Sequence, residues 1–138
     1  MFLTDDDYKA LIDSDTLDYV ISSEASTRET AEKYAQDEIK SYLSGKYDTA
    51  AIFAATEENR SDIIIMRMVD ISLYNLFASQ PERMGFQIRE LRYTNTIDWL
   101  KQVAKGTVSL DLPTNTDSDG IPETIIKWGS QTKNNMDY

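Results

Sequence analysis

Between Ser61 and Ala78 the chain reads SDIIIMRMVDISLYNLFA, and no other stretch constrains the fold so strongly. Wound as a helix, it leaves only Arg67, Asp70 and Asn75 as a narrow polar stripe on an otherwise apolar circumference. A helix that is apolar nearly all round belongs at the centre of a bundle or beneath a partner subunit. No uncharged apolar run approaches the roughly 18 residues needed to span a bilayer, so a membrane helix is not expected.

The flanking segments supply helices to surround such a centre. Thr4 followed by Asp7 predicts an N-cap with an acid at N3, opening a short helix that buries Tyr8, Leu11 and Ile12. Residues 15–21 predict a second short turn that buries Leu17, Val20 and Ile21. Ser26-Thr27-Arg28-Glu29 is a capping box, after which Ala31, Tyr34, Ala35, Ile39, Tyr42 and Leu43 recur at three-to-four spacing. Gly45 is the expected C′ stop of that helix. Residues 46–60 lack periodicity and predict a loop, with one helical turn around Ala50–Ala55. Pro81 and Gly85 punctuate the next connection. A last helix is expected from Phe86 or Gln87 to Lys105, with Ile88, Leu91, Tyr93, Ile97, Leu100 and Ala104 facing inward and Gly106 as its C-cap.

Beyond Gly106 the pattern changes. Val108, Leu110 and Leu112 alternate with polar residues and end at Pro113, which predicts a short strand. Ile121, Thr124, Ile125, Ile126 and Trp128 form a second β-prone patch before a polar ending. Two strands without a third are barely stable alone in water, so something must cover them. They either fold back on their own bundle or pair with an adjacent subunit, and the second reading is favoured. Val108, Leu110, Leu112, Ile121, Ile125, Ile126 and Trp128 are then the expected subunit or partner interface. The expected class is mainly α: a compact bundle of about four to five helices over residues 1–106, with a short C-terminal β or extended arm over 107–138.

Composition limits the chemistry. A chain of 138 residues suits one domain, able to remove roughly two-thirds of its unfolded surface from water. There is no cysteine and no histidine, which removes disulfides, thiolate chemistry, the usual general base and the commonest metal ligand. The opening MFLTDDDYKALI lacks a basic stretch followed by an apolar run, so a secretory signal is not expected there and the chain is expected to act where it is made. Net charge is −10, unevenly spread: residues 1–24 carry seven acids against Lys9, for −6, while residues 60–105 carry five acids and seven bases, for +2. Tight DNA binding needs a basic face, because phosphate neutralisation supplies most of that affinity. An acidic surface that DNA passes without sticking is compatible with these numbers.

Several local patterns have chemical and structural readings. Asn115-x-Asp117-x-Asp119-Gly120 imitates the first half of a calcium loop. The twelfth position holds Ile126 instead of a bidentate acid, so a plain Asx/Gly turn is expected and no metal. Asp5-Asp6-Asp7 is expected as a solvated helix N-terminus, since consecutive helical residues point about 100° apart. Arg67 and Asp70, three apart on a largely buried helix, are expected to form a structural ion pair. Arg83, Arg89 and Arg92 with Tyr93 and Trp99 are expected as a solvated helix face, with a surface for phosphates or an acidic protein as the alternatives. No Gly-rich loop, nucleophile elbow or metal signature accompanies the 24 acids, so neither an enzyme nor a cofactor is expected.

The order LTDDDYKALI, AEKYAQDEIKSYLSGKY, an apolar helix and IRELRYTNTIDWLKQVAKGTVSLDLP resembles the head-to-tail connector proteins of tailed bacteriophages, nearest the Mu-like small head-completion type. Phe2, Leu3, Thr4 and Asp6 match its opening segment, and Tyr42, Leu43, Lys46 and Tyr47 match its middle one. Arg92, Tyr93, Ile97, Trp99, Leu100, Val103, Ala104, Lys105 and Gly106 match the late helix. Thr96 departs from the pattern, standing where a small apolar residue is usual, and Met84-Gly85-Phe86 is less regular than the pattern. The resemblance spans roughly residues 1–113. It implies a structural virion protein at the portal vertex whose copies form a ring, dodecameric like the portal, between portal and tail. It also implies that genomic DNA passes the lumen without specific binding, with the acidic N-terminal third or the acid-rich loops facing the channel or the portal. The alternatives are a small acidic regulator of a single protein partner, or a tail-completion or tail-terminator protein.

Overall fold

The computed structural model describes residues 1–22, 25–78 and 85–115, with the side chains of 19–22, 25 and 26 outside the description. Within them lie six α-helices: α1 (Asp5–Lys9), α2 (Ser14–Ser22), α3 (Ala25–Leu43), α4 (Thr49–Ala54), α5 (Asp62–Phe77) and α6 (Phe86–Ala104). A 3-10 turn, Glu57–Asn59, joins α4 to α5. The mainly helical class holds, and the sixth helix comes from the 46–60 stretch. Asp48 accepts the Ala51 N–H at 3.1 Å as the α4 cap, and Ile52 is buried in the core.

α5 is the centre, and its own chain covers it. Ile64, Met68, Val69, Ile71, Leu73 and Phe77 are buried, and α1, α3 and α6 pack around them. Cover from a partner subunit is therefore not what this helix requires. α6 runs antiparallel to α5: Tyr74 stacks on Tyr93 at 4.1 Å between ring centroids, Asp70 faces Arg92, and Arg67 reaches Thr96. α3 lies on the next side, where Asn75 of α5 donates to the Ala31 carbonyl at 3.4 Å.

The N-terminus is held by one arginine from just before α5. Asp7 accepts the Thr4 N–H at 2.7 Å, the acid half of the expected capping box. Arg60 then forks across both Asp7 oxygens, at 2.6 and 3.3 Å, and also donates to the Phe2 carbonyl at 2.8 Å. Phe2 meets Phe53 edge-on, so this bond set anchors α1 over α4 and the start of α5. Burial acts to raise the Asp7 carboxyl, but the Arg60 guanidinium and the Thr4 amide outweigh it and hold the group below its ordinary value. A depressed carboxylate stabilises the fold above its unfolded pKa and loses that contribution as pH falls through the folded value. Asp7→Asn is therefore expected to cost about 1–2 kcal/mol near neutral pH. The gap to the parent should close on acidification below the ordinary carboxylate range. Urea titrations at stepped pH measure it, and a gap that persists in acid assigns the loss to geometry rather than charge.

Helix ends and faces account for the remaining differences. α3 begins at Ala25, one residue ahead of the expected Ser26 cap, within the usual spread of helix ends. Gly45 follows α3 without a positive φ, so it is no left-handed stop. Gly106 is one, at φ +84°: its N–H bonds to Val103 O and the Thr107 N–H to Gln102 O, both at 3.0 Å, which is a Schellman end. Leu17 of α2 is buried, whereas the side chains of Val20 and Ile21 lie outside the described set. On α6 the buried positions are Thr96, Leu100 and Val103, while Ile88, Leu91 and Ala104 are exposed. Tyr34 of α3 is exposed as well.

No strand forms among the described residues, and the only pairing at the arm is an isolated antiparallel bridge between Tyr47 and Thr114. Residues 107–115 nevertheless keep the expected alternation, with Val108, Leu110 and Leu112 half-buried between exposed neighbours.

Candidate assembly interface

The seam between α5 and α6 gathers most of the residues singled out for charge. Asp70 is fully buried and takes Arg92 in a fork, Nε at 2.6 Å and Nη2 at 3.3 Å. The expected Arg67–Asp70 pair is thus replaced by a tertiary one. Arg67 instead donates to the Thr96 hydroxyl at 3.3 Å, which passes the contact on to Asp70 at 3.3 Å, and lies 4.8 Å over the Trp99 ring. An i, i+3 spacing makes a local pair possible, but the planar Arg92 fork fits both carboxylate oxygens at once and wins. Arg89 sends Nη2 to the Leu11 carbonyl at 3.0 Å, tying α6 to the α1–α2 connection. Arg89, Arg92 and Tyr93 are therefore engaged inside the fold rather than solvated, and Arg83 lies outside the described residues.

Charge in this seam does not balance. Arg92 directly and Arg67 through Thr96 both draw on the one buried carboxylate of Asp70, and Arg67 Nε and Arg89 Nη1 are buried without a hydrogen-bond partner. Desolvation first, then repulsion from Arg92, lowers the pKa of Arg89, and burial likewise lowers that of Arg67. Thr96, the departure from the family pattern, is what lets Arg67 share Asp70 at all.

A second polar set sits between α1 and α3. The three N-terminal aspartates fan out to three cations: Asp5 to Arg28 at 2.7 Å, Asp6 to Lys9 at 2.7 Å, and Asp7 to Arg60. Arg28 also reaches the buried Glu32, which accepts the Tyr8 hydroxyl at 2.6 Å. Burial, and next the Glu32 bond, push the Tyr8 phenol well above its ordinary pKa. Tyr93, half-buried and bonded to Glu38 at 2.9 Å, is pushed up to about 12 for the same two reasons. Among the described residues no cluster of three or more Asp or Glu stands where a metal could be held, and no helix is long and apolar enough to cross a membrane.

The arm residues divide. Val108, Leu110 and Leu112, expected at a subunit contact, are half-buried here against the core of their own chain. Leu110 N–H donates to the Tyr47 hydroxyl oxygen at 2.9 Å, Asp48 N–H to Pro113 O at 2.9 Å, and Asn115 N–H to Lys46 O at 3.0 Å. Asn115 also donates its side-chain amide to Ser44 O at 3.0 Å. The physical reason is that the α3–α4 corner leaves its own backbone groups open for this segment to use. Ile121, Ile125, Ile126 and Trp128, with Asp117, Asp119 and Gly120, lie outside the described residues.

What the described surface does offer is sparse. Apart from Met1, its exposed large apolar side chains are Tyr34 on α3, at 61% exposure, and Ile88 and Leu91 on α6, at 46% and 55%. Tyr34 rims an open groove of about 280 Å³ together with Thr27, Thr30, Ala31 and Asn75. Such a surface can hold a protein neighbour.

Comparison with known proteins agrees with a phage origin. The sequence model of the family described as Bacteriophage Mu, Gp36, matches residues 2–124, nearly the whole chain. No curated protein and no solved structure matches it. The match takes in the capped α1, the central α5, the Thr96-bearing α6 and the docked segment after Gly106, so the chain belongs to the Bacteriophage Mu Gp36 family and is a phage protein of structural or assembly type.

Proposed function

We propose that this chain is a virion component that forms a ring between the capsid portal and the tail, completing the head and giving the genome a passage. The observation that carries this reading is the family match over residues 2–124, joined to a resemblance in the late helix that runs from Arg92 to Gly106. The geometry is compatible with it: buried charged residues lock helices together, and the described surface holds a few exposed apolar positions. A net charge of −10 suits a wall past which DNA slides, because like charges keep the backbone from adhering. Portal and tail proteins are the partners in this reading, with further copies of the chain as ring neighbours.

Electron microscopy of the particle vertex tests the proposal. Ring density below the portal, into which the described helices fit in repeated copies, is the expected result. A soluble one-to-one complex with another protein and no density at the vertex would sink it in favour of the regulator.

A further inference from the structure

Glu32 is buried on α3, at 3% exposure, and only half of its carboxylate is engaged. Oε1 accepts the Tyr8 hydroxyl at 2.6 Å and Arg28 Nε at 3.0 Å. Oε2 is buried without a hydrogen-bond partner. An ionised carboxylate accepts at both oxygens, and leaving one of them buried and unpaired is costly. Arg28 turns its Nη1 to Asp5 at 2.7 Å instead. Glu32 also lines an open pocket of about 140 Å³, walled on its apolar side by Phe2 and by Met68 of α5. Glu29, one turn before Glu32, and Gln36, one turn after, bring a second carboxylate and an amide to the same pocket. Lys33 lines it too, yet its side chain is exposed and makes no bond to Oε2. A cavity of about 150 Å³ takes a molecule as large as benzene, so a group the size of butylammonium has room here.

We propose that this pocket binds a primary alkylammonium group, with the ammonium on Glu32 Oε2 and the alkyl stem against Phe2 and Met68. An ammonium brings three donors on a compact charge, and its stem lies along apolar surface, which is the combination these walls offer. A neutral apolar molecule would leave Oε2 unpaired, and an anion would meet two carboxylates. Among the described residues no three acids stand together to hold a metal ion. A lysine side chain of a neighbouring protein and a free alkyl amine share the required chemistry. The site stands apart from the ring reading and does not depend on it.

Butylammonium chloride is the probe, followed by amide NMR of the full chain, with sodium chloride and 1-butanol as controls. Saturable shifts centred on Glu32, Gln36 and Met68 are expected from butylammonium and from neither control. Glu32→Gln should weaken this binding by about 10-fold or more, since it removes the charge that the ammonium meets. Glu32 also holds Tyr8 and Arg28, so a second variant guards against a folding defect. Gln36→Trp fills the pocket from its half-buried edge without touching those bonds, and it should abolish binding with circular dichroism unchanged. An equal response to 1-butanol, no saturable shift, or binding at the parent's strength in both variants would overturn the proposal. Carbodiimide coupling in assembled particles, read by mass spectrometry, separates the two sources. Glu29 or Glu32 joined to a lysine of another protein identifies a neighbour as the occupant, and the added mass of a small amine identifies a free one. Coupling confined to Lys33 or to the Met1 amine of the same molecule would mean that the chain fills its own pocket, which also overturns the proposal.

Discussion

Asp70→Asn is expected to be among the most destabilising single changes in this protein, at about 3–5 kcal/mol. The carboxylate is buried and is the shared acceptor for Arg92 directly and for Arg67 through Thr96. Removing its charge leaves guanidiniums in the α5–α6 seam with no counter-ion, and the cost is that of desolvated cations rather than of a lost attraction. In a chain of this length such a loss lowers the melting temperature by roughly 10 °C or more. Replacing both members with apolar side chains, Asp70→Leu with Arg92→Met, should recover much of it, since a buried pair often does no better than well-packed hydrocarbon. Thermal denaturation of the three proteins measures this. A double variant no better than Asp70→Asn would mean that the pair supplies geometry that packing cannot.

Leu73→Ala carries the second large effect, about 2–5 kcal/mol, because Leu73 is fully buried on the central helix and little around it can relax into the space. The concentration dependence is the informative part. α5 is covered by α1, α3 and α6 of its own chain, so the loss should be the same in dilute and concentrated samples. A loss that shrinks with protein concentration would mean that subunit association supplies part of the cover. Chemical denaturation at protein concentrations a hundredfold apart distinguishes the two.

How far the sequence reaches depends on whether the cause of a feature is local. The start of α1 follows from Thr4 and Asp7, the extent of α5 from Ser61 to Ala78, and the end of α6 from Gly106, and all three stand in the structure. Each is decided within a few residues, by a cap, an apolar run or a left-handed glycine. The alternation at Val108, Leu110 and Leu112 is equally local and also survives, although the strand expected from it does not, because strand pairing requires a partner edge elsewhere. The spacing of Tyr34, Ile88 and Leu91 predicts inward positions for all three. Spacing identifies a face and cannot say whether another element covers it, and among the described residues these three side chains stand exposed.

Charge was the least legible layer. Asp70 has its neighbour Arg67 at three residues and its partner Arg92 at 22, and nothing along the chain ranks the two. The sequence does carry one signal of buried charge: Glu32 lies three before Ala35 and seven before Ile39, so an acid occupies the inward line of α3. Thr96 occupies the corresponding line of α6, four before Leu100 and seven before Val103. A polar residue on an apolar line announces a buried partner, here Tyr8 and Asp70 respectively.

The docking of residues 107–115 also has a mechanical meaning. After Gly106 turns the chain back, Pro113 and Asn115 are fastened to Asp48, Lys46 and Ser44 at the α3–α4 corner. Tension applied to the chain beyond residue 115 is therefore delivered to that corner, and α6 feels it only after those fastenings part. A neighbour that grips the C-terminal end can pull on this subunit without unwinding the helix from which that end departs.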